Sequence, residues 1–205
     1  EHPLGAVLGP SSHYIRGNRK ITLTFPSKPA VELTEENDRS SVLSMLNEAF
    51  SINNASVLWL GLSGTGDLLI EITPETLETL GNSGLRIDAL MNCDVYSRGV
   101  ILCSRPGTDQ LVEEKDSKDR VDFYSRFFAP KAGIDEDPVT GSSHCVLAPY
   151  FCPLLDKATV TGHQRSQRGG FVECTMLPAS SLTNGDLGRV EITGMAVTTM
   201  RGRLQ

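Results

Sequence analysis

Turn residues cut the chain between Val57 and Met200 into a run of short β-patterned segments, and no other feature restricts the fold as much. Residues 57–62 and 68–72 are apolar runs joined by Ser63-Gly64-Thr65-Gly66, the signature of a hairpin. Further strands are predicted over 99–103, 121–128, 159–162, 170–177, 188–193 and 195–200, and Asn184-Gly185 supplies the residues a tight hairpin turn demands. Upstream, Ile21, Leu23 and Phe25 alternate with threonines, as in a half-buried strand. Helical spacing is scarcer. Val42, Met45, Leu46, Ala49 and Phe50 share one helix face, with Asp38 or Ser40 as N-cap. Thr73-Pro74-Glu75 opens a short helix that Gly81 would close, and 143–150 is predicted as a helix that Pro149 bends or ends. Residues 3–8 read as a short helix with Pro3 at its first position, followed by a polar connection, and 108–118 as a charged loop. The elements do not alternate regularly as βαβ units, so the fold class is α+β with a largely antiparallel sheet.

The 205 residues suffice for one large domain or two small ones. With 39% hydrophobic and 21% charged residues the chain is neither disordered nor membrane-like, and no apolar run reaches the ~18 residues of a spanning helix. A net charge of −6 gives no footprint for nucleic acid. Its five cysteines are odd in number and widely spaced, with no CxxC or zinc-type spacing, which implies reduced thiols, no metal and a cytoplasmic location. Glu1 and His2 run straight into a small-residue apolar stretch, so further residues upstream are expected.

Chemistry concentrates in Asp137-Pro138-Val139-Thr140-Gly141-Ser142. Asp137 can cap a helix with Pro138 at its first position, Gly141 lets a ligand approach the backbone, and Ser142 adds a donor. A helix start of this kind suits a carboxylate or phosphate, and a carboxylate there can exchange a proton with a bound carbon acid. The same residues also read simply as a cap followed by a turn. His144 and Cys145 as a catalytic pair would point about 100° apart on a helix. Thr140 through Ser143 is not a nucleophile elbow, and a hydrolase using Ser142 or Cys145 would lack a visible base.

A long stretch resembles the PhzF-like (phenazine biosynthesis-like) family. It comprises Phe128-Ala129-Pro130, Gly133, the segment Glu136 to Cys145, and Leu147-Ala148-Pro149-Tyr150, with Ser143 where alanine is common. Gln164-x-Ser166-x-Arg168-Gly169-Gly170 resembles a second family block, as does the cadence from Gly188 through Gly194 to Gly202. His2-Pro3-Leu4 resembles the motif of the family's first half, with Glu1 where glycine is usual, and its echo of Asp137-Pro138-Val139 suggests two related halves.

The resemblance implies a two-lobed fold like that of diaminopimelate epimerase. Each lobe wraps an antiparallel barrel-like sheet around a central helix, and the cleft lies between the lobes. Here the first lobe would be incomplete: 1–50 its remnant, 51–190 the complete second lobe, and a final strand near 191–205 returning to the first. The implied activity is a cofactor-independent isomerase that moves a proton on a small carboxylated metabolite. Asp137, His2 and Ser142 match the catalytic positions, and Gly141, Thr140, Ser143 and Arg168 are assigned to substrate. Arg168 could instead pair with Asp137 or serve a turn. The family's acid/base glutamate, in an Asn-x-Ser-Glu-Thr-like segment, has no counterpart here, so impaired turnover is expected. The rival reading is a non-catalytic module that binds a protein partner, or a second copy, through the incomplete lobe.

Overall fold

The structure is a computed structural model that describes residues 18–81, 85–107, 120–177 and 188–197. One nine-stranded sheet dominates it, in the order β1-β9-β8-β7-β6-β5-β4-β3-β2. The strands are β1 (Asn18–Pro26), β2 (Ala30–Glu32), β3 (Val57–Ser63), β4 (Asp67–Ile72), β5 (Gly99–Ser104), β6 (Phe123–Phe128), β7 (Thr159–Gln164), β8 (Gly170–Leu177) and β9 (Arg189–Val197). Among the described residues four α-helices accompany them: α1 (Glu36–Phe50), α2 (Pro74–Thr79), α3 (Ile87–Met91) and α4 (Gly141–Leu154).

The two outermost strands are consecutive in sequence. Only Ser27, Lys28 and Pro29 join β1 to β2, a link that spans at most about 14 Å fully extended. Nine strands laid flat would put the same edges about 38 Å apart. The sheet must therefore curl on itself, and α4 occupies its interior, packing against β4, β7, β8 and β9. This is a barrel-like sheet around a central helix. Six of the eight pairings are antiparallel; β4–β5 and β6–β7 are parallel. Each parallel pair requires a crossover: α2 and α3 supply one, α4 the other. Two βαβ units thus sit inside an otherwise antiparallel α+β fold.

The central strands are buried on both faces, and side-chain alternation sorts them into two cores. Leu68, Ile70, Val100, Leu102 and Phe128 meet α1, α2 and α3 outside the curl. Leu69, Ile101, Phe123 and Phe127 meet Val146, Leu147 and Phe151 of α4 inside it. The buried face of α1 is Val42, Met45, Leu46, Ala49 and Phe50, as the spacing predicts.

Several local boundaries differ from expectation. α1 begins at Glu36 after Glu35, so Asp38 lies in its first turn and neither Asp38 nor Ser40 caps it. α2 is capped at Leu80, one residue before Gly81. Residues 189–197 form one strand, because Gly194 pairs with Ile21 on one side and Val172 on the other. α4 runs through Pro149 and Pro153 to Leu154. Pro149 has no N–H for the carbonyl of Cys145; the Lys28 N–H donates to that carbonyl instead, at 2.9 Å. The proline therefore anchors the β1–β2 link across the central helix. The expected helix over 3–8, the loop over 108–118, the Asn184-Gly185 turn and His2 lie outside the described residues. Among the described residues no helix is long and apolar enough to cross a membrane.

Candidate active site

α4 starts two residues before the predicted 143–150 helix and three residues after the start that an Asp137 cap would give. Thr140, not Asp137, is the N-cap, and Gly141 is the first helical residue. The cause is Gln164, fully buried on β7, whose Oε1 accepts from the Thr140 N–H at 2.8 Å. Its Nε2 donates to the Asp137 carbonyl at 2.6 Å and to Thr140 Oγ1 at 3.1 Å. Because an amide NH₂ only donates, Thr140 Oγ1 is an acceptor there, and its single proton goes to Asp137 Oδ2, 2.6 Å away. Asp137 is half-buried, its carboxylate ordered by Thr140 and its N–H donating to Phe127 O at 3.0 Å. Ser166 ties the same segment down by donating to Pro138 O at 2.7 Å. Gln164 and Ser166 belong to the Gln164-x-Ser166-x-Arg168-Gly169-Gly170 motif, but nothing local in the sequence marks them as the partners of the Asp137–Thr140 segment.

Neighbouring groups hold the segment from beneath. Arg126, 2% exposed, donates through Nε and Nη2 to both oxygens of Glu136 at 2.7 and 2.8 Å, and through Nη1 to Leu80 O at 2.7 Å. The Thr140 carbonyl accepts from Ser143 Oγ at 2.9 Å and from His144 Nδ1 at 2.6 Å. A carbonyl only accepts, so His144 carries its proton on Nδ1 and is neutral; burial pushes its pKa down to about 4.

Ser142 is exposed in the first turn of α4, and a Cβ placed on the adjacent Gly141 would touch nothing, so the backbone there is open. The first-turn N–H groups of Gly141 and Ser142 have no intrahelical partner. Ser142 Oγ accepts from Arg98 Nη1 at 3.0 Å. Arg98 is itself fixed twice. Its Nη2 pairs with the fully buried Asp67, and its N–H and that of Ser97 donate to the Gly66 carbonyl at 3.0 and 3.1 Å. Gly66 has φ of 80° in the β3–β4 turn, a conformation that favours glycine. Burial raises the Asp67 pKa, opposed by the Arg98 charge and hydrogen bond.

A cavity of about 410 Å³ opens in front of this helix start. Phe25, Pro26 and Lys28 line one side, Thr65 and Arg98 another, and Ser142 and Cys145 the α4 wall. Of the residues proposed from sequence, Ser142 faces this cavity directly. Thr140 and Ser143 direct their hydroxyls into the helix start. Arg168 is exposed, and among the described residues it forms no ion pair with Asp137. Arg98, Asp67 and Lys28 were not singled out from sequence, though the glycine turn before Asp67 marks where Arg98 is held. Burial pushes the Cys145 thiol up to about 11, and His144 faces Thr140, so no nucleophile–base pair forms among the described residues.

Comparison with known proteins agrees with this geometry. The sequence profile of phenazine biosynthesis-like proteins matches residues 7–202. An uncharacterized isomerase of Pseudomonas aeruginosa is 34% identical over 160 residues, covering 78% of this chain and 50% of that protein. The human phenazine biosynthesis-like domain-containing protein is 43% identical over 128 residues, covering 54% of this chain and 42% of its own. The chain thus spans half the length of these relatives or less. A solved phenazine biosynthesis protein of the PhzF family from Enterococcus faecalis shares the fold. Its TM-score is 0.61 at 24% identity, over 91% of this chain and 57% of that one. With its profile match, its β-wrapped central helix and the Asp137–Ser142 segment at that helix's start, the chain belongs to the phenazine biosynthesis-like protein family.

Proposed function

We propose that the chain binds a small carboxylated metabolite at the start of α4 and takes part in moving a proton on it, as an isomerase of this family would. The observation that carries the reading is the meeting of two features in one short segment. Asp137 has a carboxylate ordered by Thr140, and the helix start beyond it opens on a cavity.

The chemistry follows from those partners. A ligand carboxylate would accept from the free N–H groups of Gly141 and Ser142, where the helix dipole favours negative charge. Arg98 occupies Ser142 Oγ as a donor, so the serine proton is left for the ligand. Asp137 accepts the Thr140 hydroxyl proton on Oδ2 and, as the base of this reading, would take the substrate proton through Oδ1. Charge that develops when a C–H proton leaves would spread onto the carboxylate, where these donors are already oriented. His2 would complete the constellation. As the resemblance implies, the step uses no metal, nucleotide or flavin. A positioned acid/base is worth about 10²–10⁴-fold in rate.

The test is solvent deuterium incorporation, followed by NMR, into a panel of aromatic and aliphatic carboxylates with acidic C–H groups. Slow incorporation that Asp137→Asn abolishes is expected. No incorporation across the panel, or incorporation indifferent to Asp137→Asn, contradicts the reading. A second reading, a protein-binding module or homodimer, is favoured by Phe171, Met195 and Val197, which stand 52%, 60% and 61% exposed on β8 and β9. Sedimentation of the chain would show a concentration-dependent dimer in that case.

A further inference from the structure

We propose that Lys28 is the anion-recognising side chain of the cavity in front of α4, which takes a singly charged carboxylate with an apolar body. The inference rests on the ligand-binding reading above and adds a residue and a charge rule to it. Two cations line the cavity, Lys28 and Arg98. Arg98 is neutralised by Asp67, whereas Lys28 has no ion pair among the described residues. One positive charge is therefore unbalanced, and it matches one carboxylate rather than two.

Position supports the count. The Lys28 N–H is held on the Cys145 carbonyl that Pro149 leaves free, which places the side chain against the first turns of α4. Its charge acts on the Cys145 thiol in the α4 wall, as does that of Arg98. An anion between Lys28 and Ser142 would pair with the ammonium and accept the serine proton that Arg98 cannot use. The remaining walls explain the body of the ligand. Phe25 and Pro26 present hydrocarbon, and Cys145 presents a protonated thiol. A volume of about 410 Å³ lies at the small end of ligand pockets and fits a single ring or short chain.

Calorimetric titration of the whole chain with benzoate and with its neutral isostere benzamide tests the proposal. Benzoate should bind more tightly than benzamide, and its affinity should fall as salt is raised. Lys28→Met should weaken benzoate by about tenfold or more, the loss of one charge-assisted contact. It should leave benzamide unchanged, and Lys28→Arg should restore most of the benzoate affinity. An unchanged urea midpoint in Lys28→Met separates lost binding from lost folding. Absence of benzoate binding, equal binding of the two probes, or benzoate affinity indifferent to Lys28→Met overturns the proposal. Asp137-dependent deuterium incorporation alongside Lys28-independent binding would sink this inference alone. Lys28-dependent binding without any such incorporation would sink the isomerase reading alone.

Discussion

Replacing Gln164 by leucine should loosen the start of α4 more than any single change to the cavity wall. The side chain is fully buried and makes three hydrogen bonds, at 2.6, 2.8 and 3.1 Å. Leucine fills most of the space but leaves the Thr140 N–H and the Asp137 carbonyl without partners. A buried polar group so orphaned costs about 1–3 kcal/mol. The two together, offset by the added apolar burial, come to about 2–4 kcal/mol. With a urea slope of about 2 kcal/mol per molar, the midpoint should fall by roughly 1–2 M. Trp59, the single tryptophan, packs at 4.8 Å from Tyr150 of α4 and reports the transition by fluorescence. The exposed neighbour Gln167, changed to leucine, should move the midpoint little. A shift below about 0.3 M for Gln164→Leu, or one matched by Gln167→Leu, would refute the claim that Gln164 sets where the helix begins.

Other expectations follow from the same neighbourhood. Arg126→Met strands Glu136 without its two-pronged partner and should cost about 3–5 kcal/mol; Arg126→Met with Glu136→Gln should recover part of it in thermal denaturation. His144 is neutral in the fold, with its pKa lowered to about 4 by burial, while the unfolded chain protonates it near 6.5. The unfolded state therefore binds more protons between those values, so the contribution is complete above pH 6.5 and is lost as pH falls toward 4. It amounts to up to about 3 kcal/mol, and His144→Asn should flatten that part of the stability–pH curve. All five cysteines are buried and free, and burial raises each thiol pKa. Thiol reagents should thus react slowly with the folded chain at neutral pH and with all five groups once it is unfolded. Fast labelling of Cys145 in the folded chain would count against its protonated, inert state.

Local chemistry made part of this fold legible. The β3–β4 hairpin is written in two apolar runs around a glycine turn, and the buried face of α1 in its spacing. What escaped were contacts between residues distant in sequence. Asp137-Pro138 has the chemistry of a helix start, yet Gln164, 24 residues beyond Thr140, takes the N–H that makes Thr140 the cap. Pro149 reads as a helix end, but Lys28 satisfies the carbonyl it frees. Gly194 reads as a break, but strands on both sides hold it in β9. The Arg98 bridge spans 31 residues to Asp67 and 44 to Ser142, separations that no local pattern encodes. The family motif marked Asp137 and Ser142; the curl of the sheet, which brings Lys28 and Phe25 into one cavity with Ser142, became visible only with the strand order.

The central claim is that the first turn of α4 is where this chain meets an anion. Amide NMR shifts during a benzoate titration test it most directly. Saturable movement centred on Gly141, Ser142 and Ser143 is predicted. Stationary resonances there, or changes confined to the groove between α1 and α3 around Ser44 and Asn92, would contradict it.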